Sequence, residues 1–248
     1  MKALLFGSIG VVVDSSHLQF DAYNTAFEEA GLGWRWERDE YEALLHRPGG
    51  KERLRRVLRE REGEAADEAL VERIHARKSE LFQQRLCNEP QAPRPGVTRL
   101  MDQCTAAGIK IGLVTSTDLA NVRATLVAGG SGVRLERFDV VTHRDLVPKG
   151  KPDPAAWHVA LDRLGLSTDE VVAIEDTGAC VESAVAAGLF TVATPNGFAG
   201  GQDFRAAHAV VDCLGDQQRP ARQLAGERIV ADEVVTIELL AARLTQAA

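Results

Sequence analysis

The chain has 248 residues, 45% of them hydrophobic and 26% charged, enough apolar content for a buried core and too much for a disordered polymer. Its formal charge of −7 argues against nucleic acid and against anionic membrane as partners, since both recruit a basic footprint. No apolar run reaches the roughly 18 residues of a membrane span, and Cys87, Cys104, Cys180 and Cys213 have neither CxxC spacing nor flanking histidine pairs, so a reduced, cytoplasmic protein is expected.

The chain opens with two apolar runs, 3–6 and 9–13, both expected as strand. The second runs into Asp14 with no cleavage pattern, which sets aside a signal peptide. The next seventy or so residues are helical in pattern throughout: 18–30 closed by Gly31, then 37–45, 51–61 and 67–86. Residues 88–95 carry Pro90, Pro93 and Pro95 and read as a stiff linker. From there apolar, β-branched runs at 109–114, 138–142, 171–174, 190–193 and 209–211 alternate with helical stretches at 96–107, 118–127, 154–164 and 180–187. Near-continuous apolar runs are what strands buried on both faces of a parallel sheet look like, and their alternation with helices predicts a doubly wound α/β sheet. The expected organisation is an α/β core from 1–14 and 89–248 with an inserted all-helical cap, 15–88. The tail beyond 216 holds an apolar run at 228–230 and an amphipathic helix near 234–244, expected to pack on the core or to join two copies as a homodimer.

Ligands of doubly wound sheets sit at the carboxyl ends of the strands. Three pieces fall there: Thr115-Ser116, Lys151 in a Lys149-to-Pro154 loop, and Glu175-Asp176. Singly, each has a plain structural role as a helix N-cap, a solvated lysine before a helix opened by proline, and an acidic helix start. Together on one rim they are the parts of a phosphate and Mg²⁺ site, with hydroxyl and ammonium for phosphoryl oxygens and carboxylates for a hard cation.

This constellation resembles the haloacid dehalogenase superfamily, in the capped branch near β-phosphoglucomutase and the Rubisco-operon sugar-bisphosphate phosphatases. The resemblance is carried by Arg94-Pro95-Gly96-Val97, Gly112-Leu113-Val114-Thr115-Ser116-Thr117, Gly150-Lys151-Pro152-Asp153-Pro154, Ala173-Ile174-Glu175-Asp176-Thr177, Ala186-Ala187-Gly188 and Thr194-Pro195. In the cap, Gly49-Gly50-Lys51-Glu52-Arg53-Leu54 is also similar, and the likeness extends from residue 1 to about 216. It implies an aspartate nucleophile at the end of the first strand, a second aspartate two residues on as general acid and base, and Mg²⁺ held by the nucleophile, a backbone carbonyl and a later carboxylate.

Aligned on Gly10 and Asp14, this chain has Gly7 at the nucleophile position and Ile9 at the acid/base position. Glycine has nothing to attack with and isoleucine cannot move a proton. Losing a covalent nucleophile costs on the order of 10⁶ in kcat. Ser8, one residue off register, is expected to point to the other face of a strand, and Asp14 to lie near the hinge without a base partner. Gln19 stands where the branch carries a hinge histidine, and His17 reads as a surface residue. Cys180 replaces a glycine the resemblance places four residues after Asp176.

What the resemblance leaves is Thr115, Ser116 and Lys151 for a phosphate, and weakly held Mg²⁺ with Asp176 as the direct and Glu175 as the secondary ligand. For Lys51 and Arg53 in the cap, a substrate contact and a solvated helix face weigh evenly. The expectation is a hydrolase-fold protein that binds a small phosphorylated metabolite, a sugar phosphate, without efficient turnover. The alternatives are a slow phosphatase using Asp176 and a positioned water, and an interaction protein using the tail.

Overall fold

The computed structural model describes residues 1–46, 49–62, 67–89, 91–128 and 132–245. Strand β1 (Ala3–Phe6) is buried along its whole length. Two residues after it, Ser8, extended in backbone, caps a short helix, α1 (Ile9–Val12), its side chain accepting from Val11 N. The run at 9–13 is therefore a helical turn where a strand was expected. A short, uniformly apolar run has no period by which to tell the two apart, and the cap decides it.

Four helices follow: α2 (Ser16–Glu29), α3 (Arg38–Leu44), α4 (Gly50–Glu62) and α5 (Glu68–Asn88). Asp67 starts α5 by accepting from Ala69 N and Leu70 N. These helices share one hydrophobic cluster, built on Tyr23, Phe27, Trp36, Tyr41, Leu54 and Ile74, that takes in Phe198 from the later part of the chain. Asn24 fixes the connection between α2 and α3 by binding both the N–H (2.8 Å) and the carbonyl (3.0 Å) of Trp36. Of the linker expected at 88–95, Pro90 lies outside the described residues.

The remainder alternates: α6 (Val97–Ala106), β2 (Lys110–Val114), α7 (Leu119–Ala128), β3 (Val140–Thr142), α8 (Ala155–Leu164), β4 (Val171–Glu175), α9 (Gly178–Ala186), β5 (Phe190–Ala193) and β6 (Ala209–Val211). Then come β7 (Gln223–Gly226), β8 (Val230–Ala231), β9 (Val234–Val235) and α10 (Ile237–Leu244). The main sheet runs β3-β2-β1-β4-β5-β6-β7, parallel except for β7. Along β1 the side chains alternate, Leu4 and Phe6 into one buried layer, Ala3 and Leu5 into the other. This is the doubly wound α/β fold expected from the alternation.

Register positions the site. Phe6 pairs with Leu113 on one side and Ile174 on the other, so Gly7, Val114 and Glu175 leave the sheet at one level. The strand order reverses about β1, the place where such sheets open a crevice.

The tail is part of this core. β7 pairs antiparallel with β6, and Ile229, Val235, Leu240 and Leu244 enter the same apolar layer as Leu4 and Phe6. Arg99 on α6 ties it down by donating to the carbonyls of Leu214, Gly215 and Val235. Among the described residues, no helix is long and apolar enough to cross a membrane.

Candidate phosphate site

A cleft of about 610 Å³ opens at the carboxyl ends of the strands, lined from below by Gly7, Ser8, Thr115, Ser116, Lys151 and Asp176 and from above by residues of α2, α4 and α5. The lower wall is organised around Lys151, whose side chain is only 2% exposed. Its ammonium donates to the carbonyl of Gly7, to the carbonyl of Val114 (2.8 Å) and to Glu175 Oε1 (2.5 Å), and it faces the Trp157 ring at 4.4 Å. Three protons thus meet three acceptors. Burial pushes the Glu175 carboxyl above the usual carboxylate range, and the charge of Lys151 only partly offsets this.

Beside it, Asp176 accepts from Ser8 Oγ through Oδ1 (2.8 Å) and from Asn196 Nδ2 through Oδ2 (2.8 Å). Ser8 therefore faces the cleft, contrary to the strand-based expectation, because the chain turns into α1 at that residue. Thr115 Oγ1 accepts from Thr117 N, while Asp118 accepts from Asn121 N at the start of α7, so the helix-start role falls to Asp118 and not to Thr115 or Ser116. Asp14 accepts from Ser16 N, Ser16 Oγ and Gly197 N. Burial raises its carboxyl, but these bonds and the charge of Arg94 outweigh it and the net shift is downward. Arg94 itself joins two of the motifs, donating to Gly10 O, Thr194 O, Thr194 Oγ1 and Pro195 O.

Ligand atoms of Glu175, Asp176 and Cys180 lie within 4.8 Å of one another. They do not fit Mg²⁺. One carboxyl is paired with an ammonium, both oxygens of the other already accept protein hydrogen bonds, and burial pushes the Cys180 thiol up to about 12, leaving a neutral, soft donor where a hard cation takes oxygen.

The upper wall is different. Lys78 on α5 is buried, donates to Gln19 Oε1, and lies over the rings of Tyr23 (4.9 Å) and Phe82 (5.2 Å). Burial, with the charge of Arg53 adding to it, lowers its ammonium to about 7. Arg53 on α4 is also buried and donates to Leu44 O (3.2 Å). Among the described residues neither has a carboxylate partner. The Tyr23 hydroxyl is buried beside Arg53, whose charge only partly offsets the upward push of burial on it, and burial holds His75 down at about 4, so its ring is neutral at pH 7. Gly50 permits this crowding, since a Cβ there would lie 2.7 Å from the Tyr23 hydroxyl and 2.8 Å from His75 Nε2.

Of the sequence candidates, Thr115, Ser116, Lys151, Asp176 and Arg53 line the cleft with Gly7 and Ile9, and Glu175 lies buried behind it. Lys51 does not reach it: its ammonium pairs with Glu72 (2.6 Å), so of these two α4 cations it is Arg53 that turns inward. His17 pairs with Glu89 at the surface. Sequence reasoning missed Lys78, and a signal existed. Ile74, Lys78, Leu81 and Phe82 share one helical face, and a lysine on an apolar stripe is out of place unless something needs it. Ser8 and Asn196 carried no such signal.

Residues 1–188 match the haloacid dehalogenase-like hydrolase family. The chain belongs to that family. Protein CbbY of Cereibacter sphaeroides is 32% identical to this haloacid dehalogenase-like chain over 216 residues, 87% of this chain and 94% of CbbY. The crystal structure of a CbbY mutant from Rhodobacter sphaeroides in complex with xylulose-1,5-bisphosphate superposes with a TM-score of 0.78 at 32% identity, covering 88% of this chain and 98% of that one. A β-phosphoglucomutase from Clostridium difficile, 21% identical, shares the haloacid dehalogenase fold with a TM-score of 0.70 over 86% of this chain and 91% of its own.

Proposed function

We propose that this member of the family binds a small phosphorylated sugar in the cleft and does not turn it over efficiently. The observation that carries the reading is the end of β1. Gly7 and Ile9 reach the cleft where a nucleophile and a proton donor would be needed, and neither can serve. Binding is supported by the cations that remain, Lys151 below and Arg53 with Lys78 above, which suit a ligand with anionic groups at two ends. The bisphosphate held by the CbbY mutant supports the same class. In this reading the helical segment 15–88 acts as a cap over the core formed by 1–14 and 89–248, and Thr115 and Ser116 supply hydroxyls to the lower phosphate.

A second reading, a slow phosphomonoester hydrolase, has one contact in its favour: the Ser8 Oγ–Asp176 hydrogen bond, which gives Asp176 a place to take a proton from a cleft hydroxyl or a water beside it.

One experiment separates them. Binding of xylulose-1,5-bisphosphate and other sugar phosphates is followed by calorimetry and phosphate release is assayed, for the natural chain and for Gly7→Asp with Ile9→Asp. Binding by the natural chain without release supports the first reading. Release by the natural chain that disappears in Asp176→Ala overturns it in favour of the second.

A further inference from the structure

The register of β1 against β4 sets Gly7 beside Glu175, and a Cβ on Gly7 would lie within 3.0 Å of Glu175 Cδ, Oε1 and Oε2 together. Real Cβ atoms do not come that close, so the Glu175 carboxyl fills the space any side chain at position 7 would need. It also holds the partner that such a side chain would find, because Lys151 Nζ is 2.5 Å from Oε1 with both side chains sealed from solvent. The other oxygen, Oε2, is buried with no hydrogen-bond partner among the described residues. A carboxyl in a site shaped for it would have both oxygens bonded.

All three donors of Lys151 are in use. Two of its acceptors, the carbonyls of Gly7 and Val114, belong to the strand ends and cannot leave without breaking the sheet. The third, the Glu175 side chain, can rotate away.

We infer that Glu175 has taken the place of the side chain residue 7 lacks, and that a phosphate reaches Lys151 only by displacing the Glu175 carboxyl. Glu175 is thus a positioning residue that sets the anion affinity of the lower wall. The inference rests on the phosphate-binding reading above and goes beyond it, since it names an internal competitor for the ligand.

The test is a titration of inorganic phosphate into the full-length natural chain and into Glu175→Ala at one pH and ionic strength. The variant is expected to bind about tenfold more tightly or better, because the competitor and its charge are gone. An unchanged or weaker affinity overturns the inference. A melting-temperature cycle gives a readout without ligand. Gly7→Asp alone is expected to lower Tm by about 5 °C or more, since two carboxyls then crowd one ammonium. Adding Glu175→Ala to Gly7→Asp should recover most of that loss, whereas a further, additive drop overturns the inference. The cycle decides the matter even where neither protein binds phosphate, an outcome that would end the phosphate-binding reading instead.

Discussion

On the lower wall of the cleft Lys151 is held by Glu175 and two strand carbonyls, while on the upper wall Lys78 lies over two aromatic rings with a glutamine amide as its polar partner. Both ammonium groups are buried. One is satisfied within the chain; the other has no carboxylate partner among the described residues, and burial lowers it to about 7, so that it is only partly charged at neutral pH and an anion in the cleft would hold its proton. Buried charge without a counter-ion is costly, so its presence facing a cleft is better evidence for a bound anion than the paired lysine is, although the paired lysine is the one the family motif singles out.

The sharpest way to break this contrast is one substitution made on each wall. Lys151→Met strands the Glu175 carboxyl in the interior and is expected to cost about 3 kcal/mol or more, measured by denaturant unfolding. Lys78→Met keeps the apolar stem against Tyr23 and Phe82 and is expected to stabilise the fold by about 1 kcal/mol. If both destabilise alike, the upper wall is as self-sufficient as the lower and the contrast fails.

Binding should divide the other way. Lys78→Met and Arg53→Gln are each expected to weaken sugar-phosphate affinity by about tenfold or more in calorimetry, because each removes a cation that has no other charge to serve.

Proton linkage sharpens the same point. The Lys78 ammonium titrates near 10.5 unfolded and near 7 in the folded chain. Between those values the unfolded chain holds a proton that the folded chain has released, so stability from this group rises with pH across about 7 to 10.5 and falls to its lower limit below 7. A bound anion favours the charged lysine, so sulfate, whose own charge is constant there, should bind less tightly as pH rises through 7. Lys78→Met should flatten both profiles. A natural chain whose sulfate affinity is level from pH 6 to 9 would remove Lys78 from the site.

The smallest effect belongs to Lys51. It is an exposed ammonium paired with Glu72, and Lys51→Ala is expected to change stability by less than about 0.5 kcal/mol and leave ligand affinity unchanged. A tenfold loss of affinity would put Lys51 in the cleft after all.

Much of the lower wall is legible in the amino-acid sequence. Thr115, Lys151 and Asp176 each follow an apolar strand, and parallel strands deliver their carboxyl ends to one rim regardless of what the side chains do next. That positions 7 and 9 carry no carboxylate is legible too, since it is a matter of residue type. Ser8 is not, because its orientation depends on whether residues 9–12 form strand or helix, and a short apolar run does not say. Lys51 and Arg53 could not be separated either: two residues apart on α4, they face different neighbours, and only the packing of that helix against α3 and α5 turns one inward and one toward Glu72.

The amino-acid sequence by itself determined the parallel sheet, the helical segment between its first two strands and the absence of a carboxylate at Gly7 and Ile9, because each is a property of local pattern or residue type. Tertiary structure alone decided what filled the gap. Where Glu175 points, that the Lys151 ammonium is fully engaged, that Lys78 is left without a counter-charge, and that the tail completes the core sheet all follow from how elements far apart in the chain pack together. Charge compensation in a protein interior is settled by that proximity, which no local pattern records.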